Sequence, residues 1–374
     1  MYYRYVRFLT RPAFLLLLIL VGCGSIPAAQ HSATTTTTAS PAVNSSPTVR
    51  PSTTSTAVGA GIHSIFYIMM ENHSSSQIIG NTTDAPYINQ LANTYGIATR
   101  YYGVTHPSLP NYLAAISGDF QGIWDDCPAG RNVICSPASF GPGLTQPEYA
   151  SASTRPHLFS GPTIVDQLEA HHLTWKAYMQ SMPTVGYTGD SNGNYAQKHD
   201  PFMYFASIRN NPARMQQIVP FTQFQSDMQA GRIANFVWIT PDLCNDMHGA
   251  LVCGSYDGLI AQGDNFIHMA VQQIMNSAAW QNGAAIVITW DENEGSNSGC
   301  CNGPTGVGGG ALGGGNVPLI VITSNNPQHR VLSNGSYNHY SLLATIEDLW
   351  NLGCIAYTCD ISASALLTPL FAQP

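Results

Sequence analysis

The sequence predicts an α/β domain with a doubly wound, mostly parallel central sheet and helices on both faces. Four apolar, β-rich runs are residues 62–70, 236–240, 284–290 and 317–323. Near-continuous apolar runs of this length suit strands that are covered on both faces, as parallel strands are. Helical patterns separate them at residues 85–95, 163–172, 264–276 and 340–352. Strands that alternate with helices indicate this fold class.

The composition excludes a nucleic-acid-binding surface. Charged residues make up only 9% of the chain, against roughly 25% in an ordinary soluble domain. The net charge is -8, and Lys and Arg together number 13. Nucleic-acid binding needs clustered cations, which this chain does not carry.

The N-terminus predicts export and a lipid anchor. Three arginines precede the apolar run 13–21, which is too short for a spanning helix, and residues 20–23 (LVGC) resemble the bacterial lipobox. We expect residues 1–22 to be a lipoprotein signal peptide and Cys23 to be diacylated, tethering the protein to the cell envelope. The alternative is an ordinary cleaved signal with an incidental cysteine.

A flexible tether is predicted to follow. Residues 31–57 are mostly Ser, Thr, Pro and Ala, and cannot bury enough apolar surface to offset their ordering entropy. The domain organisation is therefore a signal peptide (1–22), a tether beginning at the lipidated cysteine (23–60) and one folded domain (61–374).

Eight cysteines after Cys23 predict disulfide-stapled loops, because an even count in an exported chain favours disulfides over metal thiolates. Close spacing suggests the pairs Cys127–Cys135, Cys244–Cys253 and Cys354–Cys359. The adjacent Cys300 and Cys301 join each other or pair elsewhere.

Carboxylates follow three of the four predicted strands. They are Glu71, Asp242, Asp291 and Glu292. The carboxyl ends of parallel strands meet at one sheet edge, where ligands bind in open α/β folds. Buried like charges repel unless a cation lies among them, so a divalent metal ion is expected there.

Residues 105–118 predict a loop that leads into a helix. Pro110 suits a first helical turn and Gly118 a helix end, which places Ser108 just before a helix N-terminus. Free backbone N–H groups there favour negative charge, so a serine hydroxyl could attack a phosphorus centre. The alternative is that Ser108 is only a helix cap.

Two further features of the sequence are expected near the carboxyl edge of the sheet: charged and histidine residues in loops, and a glycine-rich tract. A second carboxylate, Asp246, and His248 follow Asp242 closely, and Lys198 and His199 form a basic pair. The glycine-dominated tract 303–315 lacks a nucleotide-binding pattern, and we expect a mobile flap beside the Asp291–Glu292 loop.

Five motifs, read in order, resemble the bacterial phosphoesterase family of acid phosphatases and phospholipases C, within the alkaline phosphatase superfamily. The motifs are MENHS (70–74), THPSLPNY (105–112), KHDPF (198–202), PDLCNDMH (241–248) and WDE (290–292). The resemblance implies an alkaline phosphatase-like fold across residues 62–350.

The resemblance also implies roles for individual residues. Ser108 is the expected nucleophile, with Thr105 as the alternative, and Asn111 is expected to hold a phosphoryl oxygen. The expected metal ligands are Glu71, Asn72, Ser108, Asp291 and Glu292. The expected phosphate-binding or second-metal residues are His106, His199, Asp242, His248 and His339.

The function that follows is an exported, membrane-tethered phosphoesterase that forms a phosphoserine. A bound divalent ion lowers the pKa of a hydroxyl, and hard oxygen ligands suit Mg, Ca or Mn, whereas an Asp/His/His site suits Zn.

The family's phospholipases C carry further C-terminal domains, which favours a phosphatase acting on a phosphate monoester here. The alternatives are a phospholipase C or other phosphodiesterase, and a non-catalytic surface binding module with a structural cation.

Overall fold

A mixed eight-stranded sheet is the central feature of the computed structural model, which describes residues 61–131, 157–305, 311–325 and 330–372. The strands are β1 (Ser64–Met70), β2 (Gly96–Tyr102), β3 (Trp175–Met179), β4 (Ser191–Asn192), β5 (Tyr195–Ala196), β6 (Ile218–Pro220), β7 (Phe236–Thr240), β8 (Ala284–Trp290), β9 (Asn316–Thr323) and β10 (Leu332–Asn338). The order across the large sheet is β10-β2-β9-β8-β1-β7-β3-β6, and β4 and β5 pair separately.

Helices connect and cover the strands. The α-helices of the described ranges are α1 (Ser75–Ile78), α2 (Pro86–Thr94), α3 (Ser108–Ser117), α4 (Ile164–Ala170), α5 (Ala206–Arg209), α6 (Pro212–Met215), α7 (Phe224–Gln229), α8 (Tyr256–Met275), α9 (Ala278–Gln281), α10 (His339–Leu349) and α11 (Thr368–Phe371). Every residue of β1, β7 and β8 is buried, so both faces of the sheet centre are covered. The predicted α/β fold is confirmed.

The four predicted strands are present, but one of them runs the other way. Strand β9 is antiparallel to both of its neighbours, β2 and β8, while the other pairs of this sheet are parallel. The end of β9 therefore lies at the opposite sheet edge, where Ser324 Oγ accepts a hydrogen bond from the backbone N–H of Ala284 at the start of β8. Of the four predicted strands, β1, β7 and β8 end at the same sheet edge, as predicted.

Four strands of this sheet were not predicted from the sequence: β2, β3, β6 and β10. Strand β10 (LSNGSYN) has no apolar run because it is an edge strand, and β2 exposes Thr99 and Arg100. Such strands are stabilised by pairing with neighbours more than by apolar burial on both faces, so the pattern of their own residues is weak.

Three disulfides tie loops in the described residues. They are Cys244–Cys253, Cys300–Cys301 and Cys354–Cys359. Two predicted pairs are confirmed, and the adjacent cysteines join each other. The predicted Cys127–Cys135 pair involves residue 135, which lies outside the described ranges.

The predicted signal peptide, lipidated Cys23 and tether also lie outside the described ranges and stay predictions. Within those ranges, no helix has both the length and the apolar character needed to cross a bilayer.

A buried ion network joins β3 to α7 away from the sheet-edge carboxylates. Asp227 is 3% exposed and accepts hydrogen bonds from Lys176 Nζ, Tyr178 Oη at 2.9 Å and Arg232 Nη2 at 2.9 Å. Burial alone would raise the pKa of this carboxyl, but the three donors outweigh burial and lower the pKa.

We expect Asp227→Asn to lower the free energy of unfolding by about 2 kcal/mol at neutral pH, because three donors lose a charged partner whose own side chain is buried. A carboxyl with a lowered folded-state pKa contributes stability above the unfolded pKa, and the wild-type advantage should vanish as the pH falls below about 4. Urea titrations of both proteins at pH 7 and pH 3 measure this. Asp190→Asn, in a solvent-exposed pair with Arg131, is the control, with an expected change within about 0.5 kcal/mol.

Candidate active site

The carboxyl ends of β1 and β8 lie side by side and bring two carboxylates together. The parallel register places Met70 opposite Trp290, so Glu71 and Asp291 leave the sheet as neighbours. Both side chains are 0% exposed. The backbone N–H of Asn72 donates to Asp291 Oδ1 at 3.1 Å, and Asn72 has a φ of 58°. The structure thus brings Glu71, Asn72 and Asp291 together, with the backbone of Asn72 making this contact.

Ser108 opens helix α3 and faces these carboxylates. Its hydroxyl donates to Glu71 Oε2 at 3.0 Å and lies 3.4 Å from Glu292 Oε1. Pro107 holds the cap position, and no side chain caps this helix. Gly118 ends the helix in the left-handed conformation, with a φ of 66°. The alternative that Ser108 only caps the helix is therefore wrong.

Thr105, the alternative nucleophile, is placed differently. Its side chain is 1% exposed, and its Oγ1 makes no hydrogen bond within the part of the chain that the structure describes. Its backbone N–H donates to Asn111 Oδ1 at 3.1 Å. Of the two hydroxyls, that of Ser108 contacts the acidic cluster.

Asn111 shapes the loop that precedes α3. Its Oδ1 accepts hydrogen bonds from the backbone N–H groups of Val104 and Thr105, and its Nδ2 donates to the carbonyls of Thr105 and Pro107. Both amide hydrogens are used, so none is left to donate to a phosphoryl oxygen in this arrangement. In place of the predicted phosphate contact, the Asn111 amide holds the loop that precedes α3.

Four buried carboxylates form an acidic cluster: Glu71, Asp246, Asp291 and Glu292. Burial and then the neighbouring carboxylates raise the pKa of each of them well above its ordinary value. Such a cluster favours cation binding, because a cation removes the repulsion between the ionised groups.

Two histidines border this cluster. His199 Nδ1 lies 3.0 Å from Asp246 Oδ2, and the ring stacks on Tyr112 with centroids 5.2 Å apart. The two rings of His199 and His248 are 5.4 Å apart. Ligand atoms of Glu71, His199 and His248 lie within 4.8 Å of one another. Burial, and then the charge of Lys198, lowers the pKa of His199 well below its ordinary value, so the ring is neutral.

Three buried atoms in the cluster make no hydrogen bond within the described residues: Glu71 Oε1, His199 Nε2 and Asp291 Oδ2. Glu71 Oε1 and His199 Nε2 are 3.1 Å apart. If Nδ1 carries the ring proton toward Asp246, the lone pair on His199 Nε2 faces a carboxylate oxygen. Two facing acceptors are unfavourable without a cation between them, so these residues fit a divalent metal ion.

Asp242 lies at the same edge but outside the acidic cluster. Its carboxylate accepts from Ser181 Oγ at 2.6 Å and from the backbone N–H groups of Cys244 and Asn245. It shapes the loop that the Cys244–Cys253 disulfide closes. Asp246, further along this loop, is the carboxylate that lies in the acidic cluster.

The other two predicted histidines contact residues of the acidic cluster. His339 Nε2 lies 2.7 Å from the carbonyl of Asp291, and its Nδ1 lies 2.8 Å from Tyr101 Oη. Burial lowers the pKa of His339 to about 4. Both ring nitrogens are used, which corrects the predicted ligand role of His339 to support of Asp291. His106 contacts Glu292 through Nδ1 and the carbonyl of Ser296 through Nε2.

The protein family of this chain follows from its similarity to known families. The profile of the Phosphoesterase family matches residues 81–353, more than half of the chain. The chain belongs to the Phosphoesterase family. Its relatives include proteins named phosphatase and phospholipase C, and this phosphoesterase is, like them, a hydrolase of ester bonds.

Three relatives illustrate the range of this family. The Phosphatidylinositol-3-phosphatase of Mycobacterium tuberculosis is 26% identical over 301 residues, which is 79% of each chain. An Acid phosphatase of Aspergillus fumigatus is 25% identical over 79% of this chain and 56% of its own. Phospholipase C A of Mycobacterium tuberculosis is 26% identical over 57% of this chain and 36% of its own. A solved protein of the alkaline phosphatase superfamily from Vibrio parahaemolyticus aligns with a TM-score of 0.47 and 12% identity, over 84% of this chain and 69% of that one.

Three further residues lie at the candidate site: Lys198, Asp246 and Asp126. The first two were noted from the sequence without being assigned to the site, and Asp126 was not noted. Lys198 was visible as a cation in an acidic protein, and Asp246 as a second carboxylate near a histidine. Asp126 follows an Asp in an ordinary loop, and no local pattern distinguishes it.

The glycine tract packs against the loop that precedes α3. The backbone N–H of Gly314 donates to the carbonyl of Gly103, and that of Asn293 donates to the carbonyl of Gly314. The tract lies beside the Asp291–Glu292 loop, as predicted. Residues 313–315 are buried against neighbouring loops, which corrects the expectation of a flap for this part of the tract. Residues 306–310 lie outside the described ranges.

We expect Gly314→Ala to reduce phosphoesterase activity, because a Cβ there would meet the carbonyl oxygen of Thr105 at 2.5 Å. The clash displaces the loop that positions Ser108, and a misplaced nucleophile costs about 100-fold in rate. Gly161→Ala is the control, since no atom lies within 4 Å of its added Cβ. Equal turnover in the two variants would show that the tract does not position the loop.

Proposed function

We propose that this phosphoesterase is an exported, metal-dependent phosphomonoesterase of the acid phosphatase type that works through a phosphoserine. The observation that supports this is the Ser108 hydroxyl, buried at the start of α3 and hydrogen-bonded to Glu71 within the acidic cluster. A structural cation site would need no hydroxyl at this position, which argues against a non-catalytic module.

The residues that would hold the metal ion are Glu71, His199 and Asp291, through the three atoms that lack hydrogen bonds. Ser108 and Glu292 lie beside them, and Asn72 and His248 border the same space. When bound, a divalent ion stabilises the alkoxide of the nucleophile and the charge on phosphoryl oxygens. Mixed carboxylate and imidazole donors suit Zn or Mn, and carboxylates alone suit Mg or Ca.

The reaction takes two steps. Ser108 Oγ bonds to phosphorus while the bond to the leaving alcohol breaks. Glu71 Oε2 accepts the serine proton and returns it to solvent, and the leaving oxygen takes a proton from solvent. Water then attacks phosphorus and the Oγ–P bond breaks. One water proton returns to Ser108 Oγ, and the hydroxyl remains on inorganic phosphate. The second Glu71 oxygen, Oε1, remains available as a ligand.

A phosphate monoester is favoured over a phosphodiester by the relatives. The mycobacterial phosphatase matches 79% of this chain, and the phospholipase matches 57%. Since the former is named for a phosphorylated lipid, a lipid phosphate monoester is one substrate to test.

The deciding measurement compares hydrolysis of p-nitrophenyl phosphate with that of p-nitrophenyl phosphorylcholine, before and after chelation and metal add-back. We expect faster hydrolysis of the monoester, loss on chelation and recovery with one metal. Preference for the diester would favour the phospholipase C alternative, and hydrolysis of neither would favour the binding module.

Membrane tethering through Cys23 is part of this proposal, supported by residues 20–23. We expect the wild type to partition into detergent and Cys23→Ser to remain soluble or unprocessed. Equal partitioning would remove the lipoprotein interpretation.

A further inference from the structure

Lys198 brings a positive charge into contact with the nucleophile. Its Nζ donates to Asp126 Oδ2 at 2.9 Å, to His248 Nε2 at 3.1 Å and, in a longer contact, to Ser108 Oγ at 3.5 Å. These three acceptors match the three N–H groups of an ammonium. Burial lowers the pKa of Lys198, but the charges of Asp126 and Glu71 outweigh burial and raise the pKa, so the group is charged.

Asp126 accepts hydrogen bonds from two donors beside Ser108 that a bound anion would otherwise use. Its Oδ1 accepts the backbone N–H of Leu109 in the first turn of α3 at 3.0 Å, and its Oδ2 accepts from Lys198. A phosphoryl group bonding to Ser108 Oγ would bring charged oxygens next to the same ammonium. A carboxylate and a phosphoryl group therefore compete for Lys198.

We propose that Lys198 is a catalytic residue that binds a non-bridging phosphoryl oxygen, and that Asp126 holds Lys198 when no phosphoryl group is bound. This inference rests on the proposed function, because it takes Ser108 as the nucleophile. When substrate binds, Lys198 exchanges its contact with the Asp126 carboxylate for one with a phosphoryl oxygen. When the reaction ends, Asp126 binds the Lys198 ammonium again and so favours release of inorganic phosphate. No bond is made or broken in the exchange.

The two residues are expected to act in opposite directions on phosphate binding. Lys198→Met removes the donor, so the inhibition constant of inorganic phosphate should rise by about tenfold or more. Lys198→Arg keeps a charge and should restore part of that loss. Asp126→Asn removes the competing charge, so the inhibition constant should fall several-fold. Loss of folding cannot produce a tighter constant, so the opposed signs separate this role from a structural one.

A labelling experiment on the wild type needs no variant. The chain contains two lysines, Lys176 and Lys198, whose side chains are 19% and 20% exposed. We expect inorganic phosphate to slow acetylation of Lys198 by acetic anhydride and to leave Lys176 unchanged, as measured by peptide mass spectrometry. Equal rates at Lys198 with and without saturating phosphate would overturn the proposal, as would an unchanged inhibition constant in Lys198→Met.

Failure of this inference can be told apart from failure of the proposed function. If phosphate is trapped on Ser108 but does not protect Lys198, the nucleophile stands and the Lys198 role is wrong. If no phosphoserine forms, the proposed mechanism fails, and protection of Lys198 would still show whether phosphate reaches the ammonium.

Discussion

Ser108→Ala is expected to lower kcat by about a thousandfold or more, with little change in the binding of inorganic phosphate. The variant removes the atom that bonds to phosphorus, and water is a poorly placed substitute. The charges that hold the phosphoryl group remain, so binding should survive. Turnover of a phosphate monoester and calorimetry with inorganic phosphate measure the two quantities.

Thr105→Val is the matched control for this prediction. It removes the other hydroxyl of the loop at nearly constant volume and leaves the backbone contact to Asn111 in place. A rapid acid quench with radiolabelled substrate should place acid-stable phosphate on the peptide that contains Ser108. Label on Thr105, or near-normal turnover in Ser108→Ala, would contradict the assignment of the nucleophile.

Loss of the metal ion is the second large effect that we expect. Glu71→Ala and Asp291→Ala each remove a ligand atom that has no hydrogen bond within the described residues. Each variant should lose bound metal and activity together while keeping its circular dichroism spectrum. Losing one carboxylate of a compact site should weaken metal binding by at least about tenfold. Metal content after desalting, measured by mass spectrometry, tests this against turnover of the same sample.

Asp242→Asn supplies the comparison for the metal variants. Asp242 is a carboxylate of the same sheet edge, but it contacts Ser181 and loop backbone and lies outside the acidic cluster. It should keep its metal and most of its activity. Full metal occupancy in Asp291→Ala would remove Asp291 from the ligand set.

Much of the fold could be predicted because the evidence for it is local. The runs that became β1, β7 and β8 are apolar through almost their whole length, and full burial on both faces favours that pattern. The start and end of α3 were readable from Pro110 and Gly118, since proline and glycine restrict the backbone at their own positions. The direction of β9 was not readable, because an apolar run is the same in either direction.

Within the candidate site, the sequence alone determined the residue types and the strand ends that carry them. Glu71, Asp291 and Ser108 could be named because each stands where a strand ends or a helix begins. Only the tertiary structure showed that Asp246, and not Asp242, lies in the acidic cluster. It also showed that the Asn111 amide bonds to the loop backbone. Finally, it placed the Lys198 ammonium between Asp126 and Ser108. The physical reason is distance along the chain. Ser108 meets Glu71 and Glu292 across 37 and 184 residues, and such contacts depend on strand order and loop path, which no short segment encodes.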